Sequence, residues 1–362
     1  MTHLRRRKIL AAVSVAAFLA IGYLVWRLWS SPALYRMTIL PSLGGRYTEP
    51  YSLNDLGQVV GMEQVSTADQ RIFLWDRRTG IQDLGRATGD PLIINNAGQV
   101  AGTMMVDPNH REAFLWEPGR GRTMLGTLGG RMSIAEAMNN HGQIIGLSQN
   151  APGSLRAFLW DGETGMRELT APDGSRCDPV SINDAGQILV MAFKKPRVMP
   201  GPWFLLDPNG SRPLDTIPAD AWLTSINTGS CMIGVERASG TLPCLLLGDG
   251  QGTWRRLSPM NSHGNMTRLN DRNQIAFTEF TRSRWKDLRD RLFRPRFPRD
   301  ETASYLWDPA RGRISLDRYV RGMDQFLVVD LNNEGCIVGI AETEDGSTRS
   351  VLLEPIPERW GK

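Results

Sequence analysis

Histidine is scarce and scattered in this 362-residue chain: His3, His110, His141 and His263 are the complete set, and no two are near one another. Cysteine is limited to Cys177, Cys231, Cys244 and Cys336, with no Cys-x-x-Cys. Ligand spacing therefore gives no support to a metal site, and no cofactor is expected. The four thiols are able to pair in an oxidising compartment, but their spacing leaves pairing open. Also lacking are a Gly-x-Ser-x-Gly elbow, a His-Glu-x-x-His pair and a phosphate loop, which removes the sequence-local routes to enzymatic chemistry. Acid is missing from the first 30 residues, which hold Arg5, Arg6, Arg7, Lys8 and Arg27. The formal charge of +4 belongs to that start, because the other 332 residues carry 37 basic and 38 acidic side chains, a net −1. A nearly neutral body makes no electrostatic case for nucleic acid, and no nucleic-acid partner is expected. With 41% hydrophobic and 22% charged residues, the chain has ample material for a folded core.

Residues 9–26 form an uncharged run of 18 behind the basic block. As a helix the run is about 27 Å long, close to the hydrocarbon thickness of a bilayer. Tyr23, Trp26 and Trp29 gather at its far end beside Arg27, as in an aromatic belt. This predicts residues 1–30 as a basic cytoplasmic block plus transmembrane signal anchor, with 31–35 as a linker and the rest extracytoplasmic, in the periplasm or at the cell surface. A cleaved signal peptide ending near Ser31-Pro32-Ala33 is the alternative, and would release a secreted protein. Arg6-Arg7-Lys8-Ile9-Leu10 also loosely matches a twin-arginine export signal.

Downstream, one pattern recurs in SLNDLGQVVG, IINNAGQVAG, AMNNHGQIIG, SINDAGQILV, SINTGSCMIG, RLNDRNQIAF and DLNNEGCIVG. Their first asparagines are Asn54, Asn95, Asn139, Asn183, Asn227, Asn270 and Asn332, at intervals of 41, 44, 44, 44, 43 and 62 residues. About twenty residues later comes a second signature, carrying Trp75, Trp116, Trp160 and Trp307, with Leu206, Leu247 and Leu353 at the same place elsewhere. Between them lie short β-rich runs and Asn/Asp/Gly turns, which predicts a four-stranded meander per repeat. The asparagines read as turn residues and the tryptophans as packing residues of the blades, since both recur whatever surrounds them. Units of this length match propeller blades. The predicted fold is all-β: a seven-bladed β-propeller of four-stranded blades over residues 36–362, preceded by one transmembrane helix. Its ring is expected to be closed by an N-terminal strand, because Thr38 to Gly45 parallels Thr123 to Gly130, and the last repeat lacks a fourth strand.

Ala113-Phe114-Leu115-Trp116 and Ala157-Phe158-Leu159-Trp160, together with Asn-Asn-x-Gly-Gln and Leu-Gly-Gly, resemble the HAF-repeat family of extracellular repeat proteins. Glu112 and Arg156 replace the histidine that opens the family's naming motif. The resemblance implies an exported β-propeller-like protein and carries no catalytic residues.

In a ring of meanders, the turns after the first and third strands share one face, and the more variable connections share the other. The long interval places an insertion, residues 282–300, in the variable connection of repeat six. It holds eight basic and three acidic residues, a net +5. Trp285, Leu288, Leu292 and Phe293 recur at helical spacing with Asp287-Arg291 and Asp290-Arg294 as i,i+4 pairs, predicting a three-turn amphipathic helix. Its stripe either packs on the neighbouring blade or docks a partner, through Arg284, Trp285, Lys286, Arg289, Arg291 and Arg294. The short tether of residues 27–35 turns the insertion away from the membrane, favouring an unknown protein or anionic polymer on the variable face. The expected function is a membrane-anchored, non-enzymatic binding or scaffolding module. The alternative is a propeller-fold hydrolase or lyase with its site in the central channel.

Overall fold

The computed structural model describes residues 33–67, 69–86, 91–193, 200–237, 242–259, 265–280, 302–323 and 325–360. Strand β1 (Tyr35–Ile39) precedes repeat one, formed by β2 (Tyr47–Leu53), β3 (Val59–Ser66), β4 (Asp69–Asp76) and β5 (Gly80–Arg86). Repeat two is β6 (Ile93–Ile94), β7 (Val100–Asp107), β8 (His110–Glu117) and β9 (Gly121–Met124). Repeat three is β10 (Gly129–Met138), β11 (Ile144–Asn150), β12 (Leu155–Asp161) and β13 (Gly165–Leu169). Repeat four is β14 (Cys177–Ile182), β15 (Ile188–Ala192), β16 (Trp203–Leu206) and β17 (Arg212–Pro213). Repeat five is β18 (Ala221–Ile226), β19 (Met232–Glu236), β20 (Cys244–Gly248) and β21 (Trp254–Pro259). Repeat six is β22 (Asn265–Leu269), β23 (Ile275–Phe280), β24 (Thr302–Asp308) and β25 (Gly312–Ser315). Repeat seven is β26 (Phe326–Leu331), β27 (Ile337–Glu342) and β28 (Thr348–Pro355), followed by a one-turn helix α1 (Pro357–Trp360).

The expected set of seven separate four-stranded blades closed by the N-terminal strand needs correction. The described strands form two sheets of eight and three of four, and none closes on itself. In each large sheet, one parallel bridge joins two repeats: Tyr47 with Thr348, and Met132 with Arg111. Strand β1 pairs with β28, and the Leu40 N–H donates to Ser350 O at 2.9 Å, without closing the sheet. The single-pass membrane placement is corrected as well. No helix among the described residues is long and apolar enough to cross a membrane, and residues 9–26 lie outside them.

The described residues divide into two compact units: 37–354 belong to the larger one, while 33–36 with 355–360 belong to the smaller. In the smaller unit, the Trp360 indole N–H donates to Leu34 O at 3.0 Å, and its ring meets Tyr35 edge-on at 5.5 Å. Pro357 opens α1, where a missing N–H costs nothing.

Within the larger unit, the first strands of successive repeats are neighbours in an unbroken cycle, β2–β6–β10–β14–β18–β22–β26 and back to β2. They surround a common axis. The apolar core lies between repeats: Phe73, Trp75 and Val59 of repeat one pack with Val338 and Leu352 of repeat seven, and Leu189, Trp203 and Leu205 of repeat four pack with Leu223 and Met232 of repeat five. Sheet faces too small to bury themselves alone are covered by the next repeat. Trp75 and Trp307 are buried, whereas Trp116 and Trp160 are half-buried at the margin of their clusters. All four cysteines are free thiols.

Candidate functional site

Each first-strand turn begins at one of the seven asparagines, all 3–5% exposed. The Asn54 N–H donates to Gln58 O and the Gly57 N–H returns to Asn54 O, with the same pattern in every repeat. The fourth turn residue adopts positive φ: Gly57, Gly98, Gly142, Gly186 and Gly335 in five repeats, but Ser230 (62°) and Asn273 (58°) in repeats five and six. The side-chain oxygen of every repeat asparagine accepts the N–H four residues on. This is the turn chemistry expected of asparagine.

The amide nitrogens do something else. Asn54 donates to Asn95 O, Asn95 to Asn139 O, Asn139 to Asn183 O, Asn183 to Asn227 O, Asn227 to Asn270 O, Asn270 to Asn332 O, and Asn332 to Asn54 O, at 2.8–3.4 Å. Seven bonds make a closed cycle around the axis. A second tier links the next residues: the Asp55 N–H donates to Asn96, Asn96 to Asn140, Asn140 to Asp184, Thr228 to Asp271, Asp271 to Asn333, and Asn333 to Asp55. At the junction of repeats four and five the receiving position is Thr228, whose hydroxyl instead donates to Asp271 at 3.1 Å.

A radial relay runs outward from this ring. Asn54 donates to Gln58, and Gln58 to Asp76 at the end of β4. Gln99–Glu117, Gln187–Asp207 and Gln274–Asp308 repeat the link at 2.7–2.9 Å. Hydrogen bonds hold the half-buried carboxyls of Asp76 and Asp207 below the usual range: for Asp76 chiefly from the Arg78 N–H, for Asp207 chiefly from Gln187. Repeat five lacks both relay partners, with Cys231 at the glutamine position and Gly248 at the acid position; a Cβ on Gly248 would meet the Trp254 ring at 2.9 Å. Between repeats four and five is a cavity of about 340 Å³, lined by Gln187, Leu205, Asp207, Arg212, Ser230, Gly250 and Gln251.

The inner strands carry a second set of groups. A β-bulge recurs three residues before the turn asparagine, where the register skips Tyr51, Glu136, Val180, Thr224 and Val329. Bulges re-aim side chains next to sites. Glu136 is solvent-accessible but crowded by protein; desolvation first, and neighbouring Asp178 second, push its carboxyl up to about 7. Burial also raises Glu49 and Asp330, the latter accepting the Leu53 N–H at 2.9 Å and lying 3.5 Å from Arg268.

The tryptophans sit in the inter-repeat packing, and the asparagines meet in the ring. Arg284, Trp285, Lys286, Arg289, Arg291 and Arg294 lie outside the described residues. The cavity of repeats four and five and the bulged Glu136 were missed by the sequence reading. The signals available were the departure from glycine at Ser230, and an acid within the apolar end of a first strand, Ile134 to Met138.

No family model and no curated protein matches the chain. Solved structures do. An acylaminoacyl peptidase of Pyrococcus horikoshii superposes with a TM-score of 0.54 at 10% identity, over 86% of this chain and 53% of that one. The uncharacterised protein lmo1340 of Listeria monocytogenes gives 0.54 at 8% identity, over 86% and 96%. The WD40 β-propeller domain of Doa1 gives 0.50 at 13% identity, over 90% and 99%. The chain thus spans about half the length of the peptidase. At such identities the likeness establishes the fold alone: a β-propeller scaffold.

Proposed function

We propose that this protein is a non-enzymatic binding or scaffolding module, whose partner, an acidic protein or an anionic polymer, engages the face bearing the variable connections. The observation that carries this is the closed asparagine cycle. The residues that recur in every repeat are consumed in holding the scaffold together, so recognition falls to the segments that differ between repeats. Residues 282–300 are the most distinctive of these. Phe280 pairs with Thr302 across β23 and β24, so a short turn can replace the insertion without disturbing the hairpin.

The test is retention of the full-length chain on a sulfated-polysaccharide column, with a native-source capture in parallel. Removing residues 282–300 is expected to leave the melting temperature unchanged and abolish retention. Charge reversal at Arg289 and Arg291 should weaken it in a salt-sensitive manner. Unfolding on deletion would assign the segment to structure instead, and unchanged retention and capture would refute the reading.

A second reading draws on Glu136. A carboxyl titrating near neutrality beside Asp178 on the inner strands is the pairing an acid–base pathway in the channel requires. It predicts a hydrolase or lyase activity lost in Glu136→Gln. The HAF-repeat kinship belongs with the first reading and would be tested by the structure of a family member carrying the same asparagine cycle.

A further inference from the structure

At the cavity between repeats four and five, one repeat departs from the rule in several ways at once. Cys231 and Gly248 remove the bulk of the relay, Thr228 interrupts the second tier, and Ser230 occupies a left-handed position where five repeats have glycine. A non-glycine residue held at positive φ costs energy, and such residues concentrate at functional sites. Here the Ser230 hydroxyl donates to Gln187 Oε1 at 2.7 Å, reaching across to the neighbouring repeat.

The polar groups lining the cavity are fixed from behind. Asp207 accepts from Gln187 Nε2 at 2.7 Å and from the Asn209 N–H at 2.8 Å, which leaves lone pairs on both oxygens. The guanidinium of Arg212 is anchored by one N–H to Gly250 O, leaving the rest of its fork. Gln251 is exposed at the rim, and its N–H is tied to Asp249 at 2.8 Å. Leu205 supplies the apolar wall.

One carboxylate and one guanidinium cancel in charge, so the cavity selects neither anions nor cations. Acceptor oxygens and donor N–H groups lining the same cavity suit adjacent hydroxyls, each of which donates and accepts at once. The volume, about 340 Å³, lies at the small end of ligand pockets and has room for one six-membered ring. We propose that this cavity binds a neutral, hexose-sized polyol, as a free sugar or as the terminal unit of a glycan. The site is independent of the partner surface, since none of its lining residues lies within 282–300.

Ligand-observed NMR on the full-length chain, with D-glucose, D-galactose and D-mannose each at about 10 mM, tests the assignment. At least one sugar is expected to bind. Gln251→Trp, a change at an exposed residue, should block the cavity and abolish the signal with the melting temperature unchanged. Arg212→Met should weaken binding tenfold or more. Ser230→Gly should weaken it severalfold while holding or raising the melting temperature, because it restores the residue preferred at that φ. Binding of methyl glycosides and oligosaccharides would identify a glycan end, and binding of reducing sugars alone a free sugar; both support the site. The proposal is overturned if no sugar binds, if binding persists unchanged in both Gln251→Trp and Arg212→Met, or if inorganic phosphate occupies the cavity in place of sugars. Loss of column retention on removing residues 282–300 bears only on the partner surface.

Discussion

Each turn asparagine does two jobs with one side chain: its oxygen shapes its own turn, and its nitrogen holds the next repeat. The two separate cleanly in Asn139→Asp. Aspartate keeps the acceptor for the Gln143 N–H and is an equally good turn former. It loses the donor to Asn183 O at 3.1 Å and sets a carboxylate against that oxygen and against Gln143 Oε1. Expected is a loss of about 1–3 kcal/mol in denaturant unfolding, from buried groups left unmatched. An Asp variant as stable as wild type would reduce the asparagine to a turn residue. The tryptophans grade by burial in the same way. Trp75→Ala, at 6% exposure, should cost about 3–5 kcal/mol as a large-to-small core change, and Trp160→Ala, half-buried, distinctly less. Paired urea melts check both, and ligand binding should survive in each.

At the scale of elements, what matters is which edges are covered. β1 covers β28, and Leu40, just beyond it, is 3% exposed in the cluster shared by repeats one and seven. Removing residues 37–43 uncovers a strand edge and gives up about 2 kcal/mol for Leu40 alone. Calorimetry should show a lower melting temperature and light scattering should show association. Glu63 adds to this loss: its fully buried carboxylate accepts the Leu43 N–H and the Ser42 hydroxyl at 2.8 and 2.7 Å, so the deletion strands it without those partners. An unchanged melting curve would mean that β1 contributes nothing to the sheet it joins.

Over the molecule as a whole, polar links supplement the apolar packing between repeats, and one of them titrates. Asp330 accepts the Leu53 N–H across the junction of repeats seven and one, and burial outweighs Arg268 in raising its pKa. A folded state that holds this proton more tightly than the unfolded chain is favoured below the ordinary carboxylate range. That contribution is lost as pH rises through the folded value. Asp330→Asn keeps an acceptor for Leu53 and does not ionise. The stability of wild type relative to this variant should therefore decline from acidic toward neutral pH, as read from urea melts across a pH series. A difference that grows with pH would reverse the assignment and make the Arg268 pairing dominant.

The repeat period, the β-strands, the turns and the packing tryptophans were legible in the chain itself, because all follow from recurring local chemistry: a turn asparagine in all seven repeats, a glycine at positive φ in five of them, and apolar alternation. Sheet partition, the asparagine cycle and the bulged Glu136 were not, since each depends on residues some twenty or more positions apart, or on where a strand irregularity falls. Asn54 illustrates the division: its turn is written in the four residues that follow, while its bond to Asn95 O exists only once two repeats stand side by side. The cavity is intermediate, for Ser230 is a visible departure in sequence, yet only the proximity of Asp207 and Arg212 from the preceding repeat gives the space beside it its chemistry. Local pattern determined the repeating unit; the arrangement of units around an axis decided which of its polar groups bind the protein to itself and which face a ligand.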